Sequence, residues 1–80
     1  MGIVNIKWDK FASVTKGGKP YFYYCKIARQ SYWVVWDRYY LQWEVRTEVF
    51  DSGSGKVVQL SLGLYGTARK AQRALEKTFE

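Results

Sequence analysis

Two alternating runs joined by a Gly/Ser-rich loop and followed directly by an amphipathic helix constrain this chain more than any other feature. From Tyr39 to Phe50, Leu41, Trp43, Val45, Thr47 and Val49 fall on one face and Gln42, Glu44, Arg46 and Glu48 on the other, the period-two signature of a strand. Asp51–Ser52–Gly53–Ser54–Gly55 supplies turn-forming residues. Lys56 to Leu64 then alternates again, with Val58, Leu60, Leu62 and Leu64 on one side and Val57, Gln59 and Ser61 opposite. A hairpin with one apolar face needs a cover, and the helix that follows is the natural candidate.

Ala68, Ala71, Leu75 and Phe79 recur at helical spacing and form one apolar stripe, while Arg69, Lys70, Arg73, Glu76 and Lys77 point elsewhere. Thr67 is placed to cap the first turn, whose backbone N–H groups lack intrahelical acceptors. Arg69 and Lys70 stand at the end of the helix that disfavours cations by roughly 0.3–1 kcal/mol each. An anion docked there, held by backbone N–H groups and both side chains, would offset that cost.

The remaining chain also reads as strands. Val4, Ile6 and Trp8 alternate within Met1 to Lys10, enough for a short edge strand. Lys16–Gly17–Gly18–Lys19–Pro20 is turn chemistry, since glycine permits positive φ and proline bars a central strand. Tyr21 to Arg29 and Ser31 to Trp36 are rich in aromatic and β-branched residues, and Asp37–Arg38 marks a possible turn. Whether Tyr32 to Trp43 is one bent strand or two is left open by the pattern. Strands followed by one helix predict an α+β fold: an antiparallel sheet of three to five strands with one C-terminal helix packed on one face. The expectation is a single domain over residues 1–80, with strands within 3–64 and the helix over 67–79.

Eighty residues make a small core, so the four Trp, seven Tyr and four Phe exceed what it needs and some rings should be exposed to a partner. The net charge of +6 favours polyanionic partners. One cysteine, Cys25, excludes an internal disulfide and fits a reducing cytoplasm. With no histidine, triads, Cys–His pairs and histidine zinc sites are excluded, and one cysteine excludes thiolate clusters. No Walker-type loop, signal peptide or membrane-spanning run is legible, so the sequence predicts a non-enzymatic chain with no cofactor, no metal and no membrane partner.

A helix on one side of a sheet leaves the other side free, and the alternation places Lys26, Gln30, Gln42, Arg46, Gln59 and Ser61 there. Arg and Gln read base edges, whereas Glu44 and Glu48 on the same side repel phosphate.

Glu44–Val45–Arg46, a turn, then Leu62–Gly63–Leu64–Tyr65–Gly66–Thr67–Ala68 with Ala71, Ala74 and Leu75 resembles the plant ethylene-response-factor (APETALA-type) DNA-binding domain. The arm-binding domains of phage and transposon integrases are similar in architecture. The resemblance covers about half the chain. It implies a three-stranded sheet against a helix and reading of a major groove from the sheet, and Arg46 alone carries over by position as a base reader. The Trp–x–Trp–Glu–Val-like strand and Thr–Ala-rich helix also resemble small prophage proteins of unassigned role, which implies a mobile-element origin.

The sequence thus predicts a small basic nucleic-acid-binding domain, DNA rather than RNA, contacting phosphates through Lys16, Lys19, Arg69, Lys70 and Arg73 and bases through Lys26, Arg46 and aromatic rings. The alternative is a protein-interaction module, such as a phage-encoded inhibitor or adaptor, built on an exposed aromatic patch. Self-association through an exposed edge strand is a third possibility, and the sequence leaves the oligomeric state open.

Overall fold

A computed structural model of the protein describes residues 6–12 and 21–80. The strands are β1 (Asp9–Ala12), β2 (Tyr21–Ile27), β3 (Gln30–Asp37), β4 (Gln42–Asp51) and β5 (Lys56–Tyr65), and one helix, α1 (Ala68–Thr78), ends the chain. The strands form a single antiparallel sheet in the order β1-β2-β3-β4-β5, and α1 packs against it. This is the expected α+β architecture, with five strands.

The turns explain why the chain reverses where it does. Ala28 and Arg29, between the paired residues Ile27 and Gln30, both take positive φ, at 50° and 69°. That is the combination a tight two-residue hairpin demands. Between β3 and β4 the Asp37 carboxylate accepts from the Tyr39 and Tyr40 N–H groups at 2.8 and 3.2 Å, and Leu41 turns the chain with φ 56°. The segment from Tyr32 to Trp43 is therefore two strands. Leu41, placed by alternation on the apolar face of the long strand, sits in the turn and is 66% exposed.

The core lies under the helix. Cys25 and Ile27 from β2, Val34 from β3, and Trp43, Val45 and Thr47 from β4 meet Ala71 and Leu75 of α1. Val34 is fully buried, and burying a side chain of that size contributes about 1.5–3 kcal/mol. Ile6, Trp8, Tyr23, Tyr32, Trp36, Tyr65, Ala68 and Phe79 pack around this centre. The predicted helical stripe of Ala68, Ala71, Leu75 and Phe79 is thus the packed one. Thr67 caps α1 as expected, its Oγ1 accepting from the Lys70 N–H at 3.1 Å. Of the proposed N-terminal strand, Ile6 and Trp8 precede β1 and are half-buried, and Val4 lies outside the described residues.

Polar groups at the core's edge are paired. Thr47 is buried, its hydroxyl donating to the Ser31 carbonyl at 2.7 Å and accepting from the Gln30 amide at 2.8 Å. The Gln30 amide also reaches the Glu48 carbonyl. Gln30, which alternation assigned to the free side, is accordingly on the helix side.

One irregularity reorganises β5. Val45 pairs with Gly63 and Arg46 with Ser61, so Leu62 is an extra residue, a β-bulge. Past it the alternation reverses. Leu64 stands opposite Glu44 on the side away from the helix, whereas Tyr65 stands opposite Trp43 and packs on the core. The expected run Val58, Leu60, Leu62, Leu64 on one face therefore ends at Leu62.

Candidate functional site

Directly paired residues of an antiparallel sheet project to the same side, so the register identifies what the face opposite α1 displays. One row across it is Asp9, Tyr24, Trp33, Arg46 and Ser61; the same face also shows the pair Phe11 and Phe22 and the line Val35, Glu44 and Leu64. At the β1–β3 end the rings form a cluster. Phe11 stacks on Phe22 at 5.5 Å between centroids, and Tyr24 lies 5.5 Å from Trp33. The Tyr24 hydroxyl pairs with Ser31 Oγ at 3.0 Å. Phe50 and Val57 face out together at the hairpin end.

The charges on this face do not favour a polyanion. Among the described strand residues it carries Asp9, Asp37, Glu44 and Glu48 against Lys26 and Arg46, four carboxylates to two cations. Arg46 Nε donates to Glu44 Oε1, so the guanidinium proposed to read a base is already bound to a carboxylate. Lys26 is exposed, opposite Ser31.

Arg69, Lys70 and Arg73 lie on the other side of the sheet, all exposed on α1. Arg73 Nη1 stands 3.8 Å from Glu76 Oε1, and Glu76 also accepts from the Trp8 indole N–H at 3.1 Å. Lys16 and Lys19 fall outside the described residues. The described cations of the proposed site therefore form two groups separated by the sheet. A ligand in contact with Lys26 and Arg46 does not reach the helix cations without wrapping an edge.

The apolar surface is concentrated elsewhere. β5 is an edge strand of ten residues with one charge, Lys56, at its start. Val58 (36% exposed), Leu60 (45%) and Leu62 (47%) lie open on the helix side, and Val57 (60%) and Leu64 (37%) on the other. The helix expected to cover the hairpin lies over β3, β4 and β5, centred on β4, with Ala71 and Leu75 in the buried core, and it leaves the outer side chains of β5 open. Between α1 and the hairpin runs a groove of about 530 Å³ lined by Ile27, Val49, Leu62, Tyr65, Leu75 and Phe79 among others. The opposite edge, β1, is four residues long and bears Asp9 and Lys10. Short charged edges resist strand addition, and long apolar ones invite it.

The buried thiol of Cys25 and the half-buried hydroxyl of Tyr32 are both held in their neutral forms. Burial pushes the Cys25 thiol up to about 12, helped by the Glu76 and Asp9 carboxylates, which disfavours the nucleophilic thiolate. Burial, with a smaller contribution from Cys25, also raises Tyr32. At the hairpin tip the Ser54 hydroxyl and then the Gly53 N–H hold the exposed Asp51 carboxyl below its usual range. No helix among the described residues is long and apolar enough to cross a membrane.

The comparisons with known proteins are silent: no family model matches the chain, and neither the curated proteins nor the solved structures hold a significant match to it.

Proposed function

We propose that this chain is a protein-interaction module whose docking element is the β5 edge with its adjoining groove. The observation that carries this reading is the combination at β5 of ten residues, one charge, and open apolar side chains on both faces. Soluble domains rarely leave such an edge uncovered, because its unpaired N–H and C=O groups template a further strand. Exposed valine and leucine beside a groove supply the area that main-chain pairing alone lacks. A reducing cytoplasm suits the lone buried thiol of Cys25.

The nucleic-acid reading keeps one supporting observation, the row of exposed cations Arg69, Lys70, Arg73 and Lys77 on α1. On that reading the helix, not the sheet, contacts phosphates without regard to sequence. Lys70→Ala would weaken every nucleic acid alike and flatten the salt slope by about one unit.

Affinity capture with the purified chain, repeated after nuclease digestion, decides between the two. The interaction reading expects protein retained after digestion and lost with Leu60→Lys. Retention that disappears with nuclease and survives Leu60→Lys overturns it and favours the helix cations.

A further inference from the structure

We infer that the partner at this edge is a second copy of the same chain, paired antiparallel β5 to β5 about a two-fold axis through Leu60. The inference rests on the proposed docking role of β5 and names its occupant.

The strand is self-complementary in that register. Antiparallel pairing about an axis normal to the sheet keeps each face continuous across the pair. Leu60 then meets Leu60 of the second copy, and Val58 meets Leu62 of the second copy, all on the helix side. On the opposite face Gln59 meets Ser61 of the second copy, polar against polar. Apolar residues thus face apolar ones and polar face polar, in a strand of one chain alone.

Charge points the same way. Two molecules of net charge +6 repel unless they meet where charge is scarce. The single charge of β5, Lys56, is four residues from the axis at the start of the strand, so the two Lys56 side chains lie at opposite ends of the paired strands. A foreign partner recognised by a protein this basic would be expected to engage its cations, and β5 carries almost none.

The helices also fit. α1 lies over β3, β4 and β5, centred on β4. In the pair, β4 and its copy are three strand spacings apart, about 14 Å at 4.7–4.9 Å each. Helices in direct contact pack at about 8–10 Å, so the two α1 helices stand clear of each other with an apolar trough between them. Val58, Leu60 and Leu62 of both copies form its floor, and the two grooves beside α1 open into it. Pairing closes an edge and joins both grooves into one apolar trough.

Sedimentation velocity from low-micromolar to near-millimolar protein tests this, at low and at high salt. The expected result is a concentration-dependent shift from a 9.4 kDa species to one twice that mass, persisting in high salt because the contact is apolar. Leu60→Lys places two ammonium groups face to face at the axis and should weaken the pair by about a hundredfold. Val58→Lys serves as a second variant, Tyr39→Lys, a change to an exposed turn residue, should leave the pair intact, and circular dichroism confirms that each is folded. A wild-type chain that stays monomeric throughout overturns the self-pairing. If that monomer still retains a different protein in a Leu60-dependent way, the docking reading stands and only its occupant changes. If no binding depends on β5, both fall.

Discussion

Replacing Gly63 with alanine should destabilise the fold by about 2–3 kcal/mol, and the figure can be built from the bulge itself. Gly63 has φ 150°, a region that L side chains rarely adopt, and a residue held there costs of order 1–3 kcal/mol. A Cβ at this position would lie 2.9 Å from Tyr65 Oη and 3.0 Å from Tyr65 Cε2, so the ring must swing. Tyr65 packs on the core beside Trp43, and pushing its ring about 30° from its rotamer adds roughly 0.5–1.5 kcal/mol. Alanine recovers about 0.4–1 kcal/mol by restricting the unfolded chain, which leaves the net cost above. For 80 residues, where total stability is about 4–12 kcal/mol, that is a large share and lowers Tm by roughly 10–20 °C. Gly66→Ala is the internal control, since its Cβ meets nothing within 4 Å and its φ is not positive. Urea unfolding followed by tryptophan fluorescence gives both midpoints. Equal midpoints for the two variants would refute the bulge geometry, and with it the reversal that sends Leu64 outward and Tyr65 inward.

Three further outcomes test separate parts of the fold. Ala28→Asn with Arg29→Gly puts residues suited to positive φ at both turn positions and should stabilise the protein by about 1–2 kcal/mol, read from the same urea midpoint. Thr47→Val removes the hydroxyl that serves both Ser31 and Gln30 and should cost about 1–3 kcal/mol, with Thr47→Ser recovering most of it. Cys25, whose thiol is raised in the folded state from its ordinary 9.0 to about 12, favours folding fully below pH 9. That contribution is lost as pH rises from 9 towards 12, because the unfolded chain releases the proton first. A Cys25→Ala variant should therefore show a shallower loss of stability over that window, and native Cys25 should resist alkylation at pH 8.

The sequence revealed the parts of this molecule that obey simple periodicity. Trp43, Val45 and Thr47 share the buried face because their alternation is uninterrupted, and α1 follows its spacing of apolar residues and its Thr67 cap. The two tight turns were harder. Ala28–Arg29 carries none of the Asn–Gly chemistry that announces a two-residue hairpin, and Leu41 is an unusual choice for positive φ. The bulge at Leu62 defeated pattern reading because one inserted residue swaps every later side chain to the other face. The division of the proposed cations between two sides of the sheet was hidden for a related reason. Net charge says nothing about distribution, and the register, not the composition, puts Lys26 and Arg46 across the sheet from Arg69, Lys70 and Arg73. The exposed β5 edge was legible as a strand, but its exposure depends on where α1 lands. Ala71 and Leu75 settle over Val34 and Val45 rather than over Leu60 and Leu62.

Residue-resolved amide hydrogen exchange at two protein concentrations bears most directly on β5 as the binding edge. The account predicts that amides of β5 from Val57 to Gly63 exchange more slowly at the higher concentration while those of β1, at the other edge, do not change. Unchanged exchange along β5, or new protection confined to the aromatic face around Tyr24 and Trp33, would contradict it.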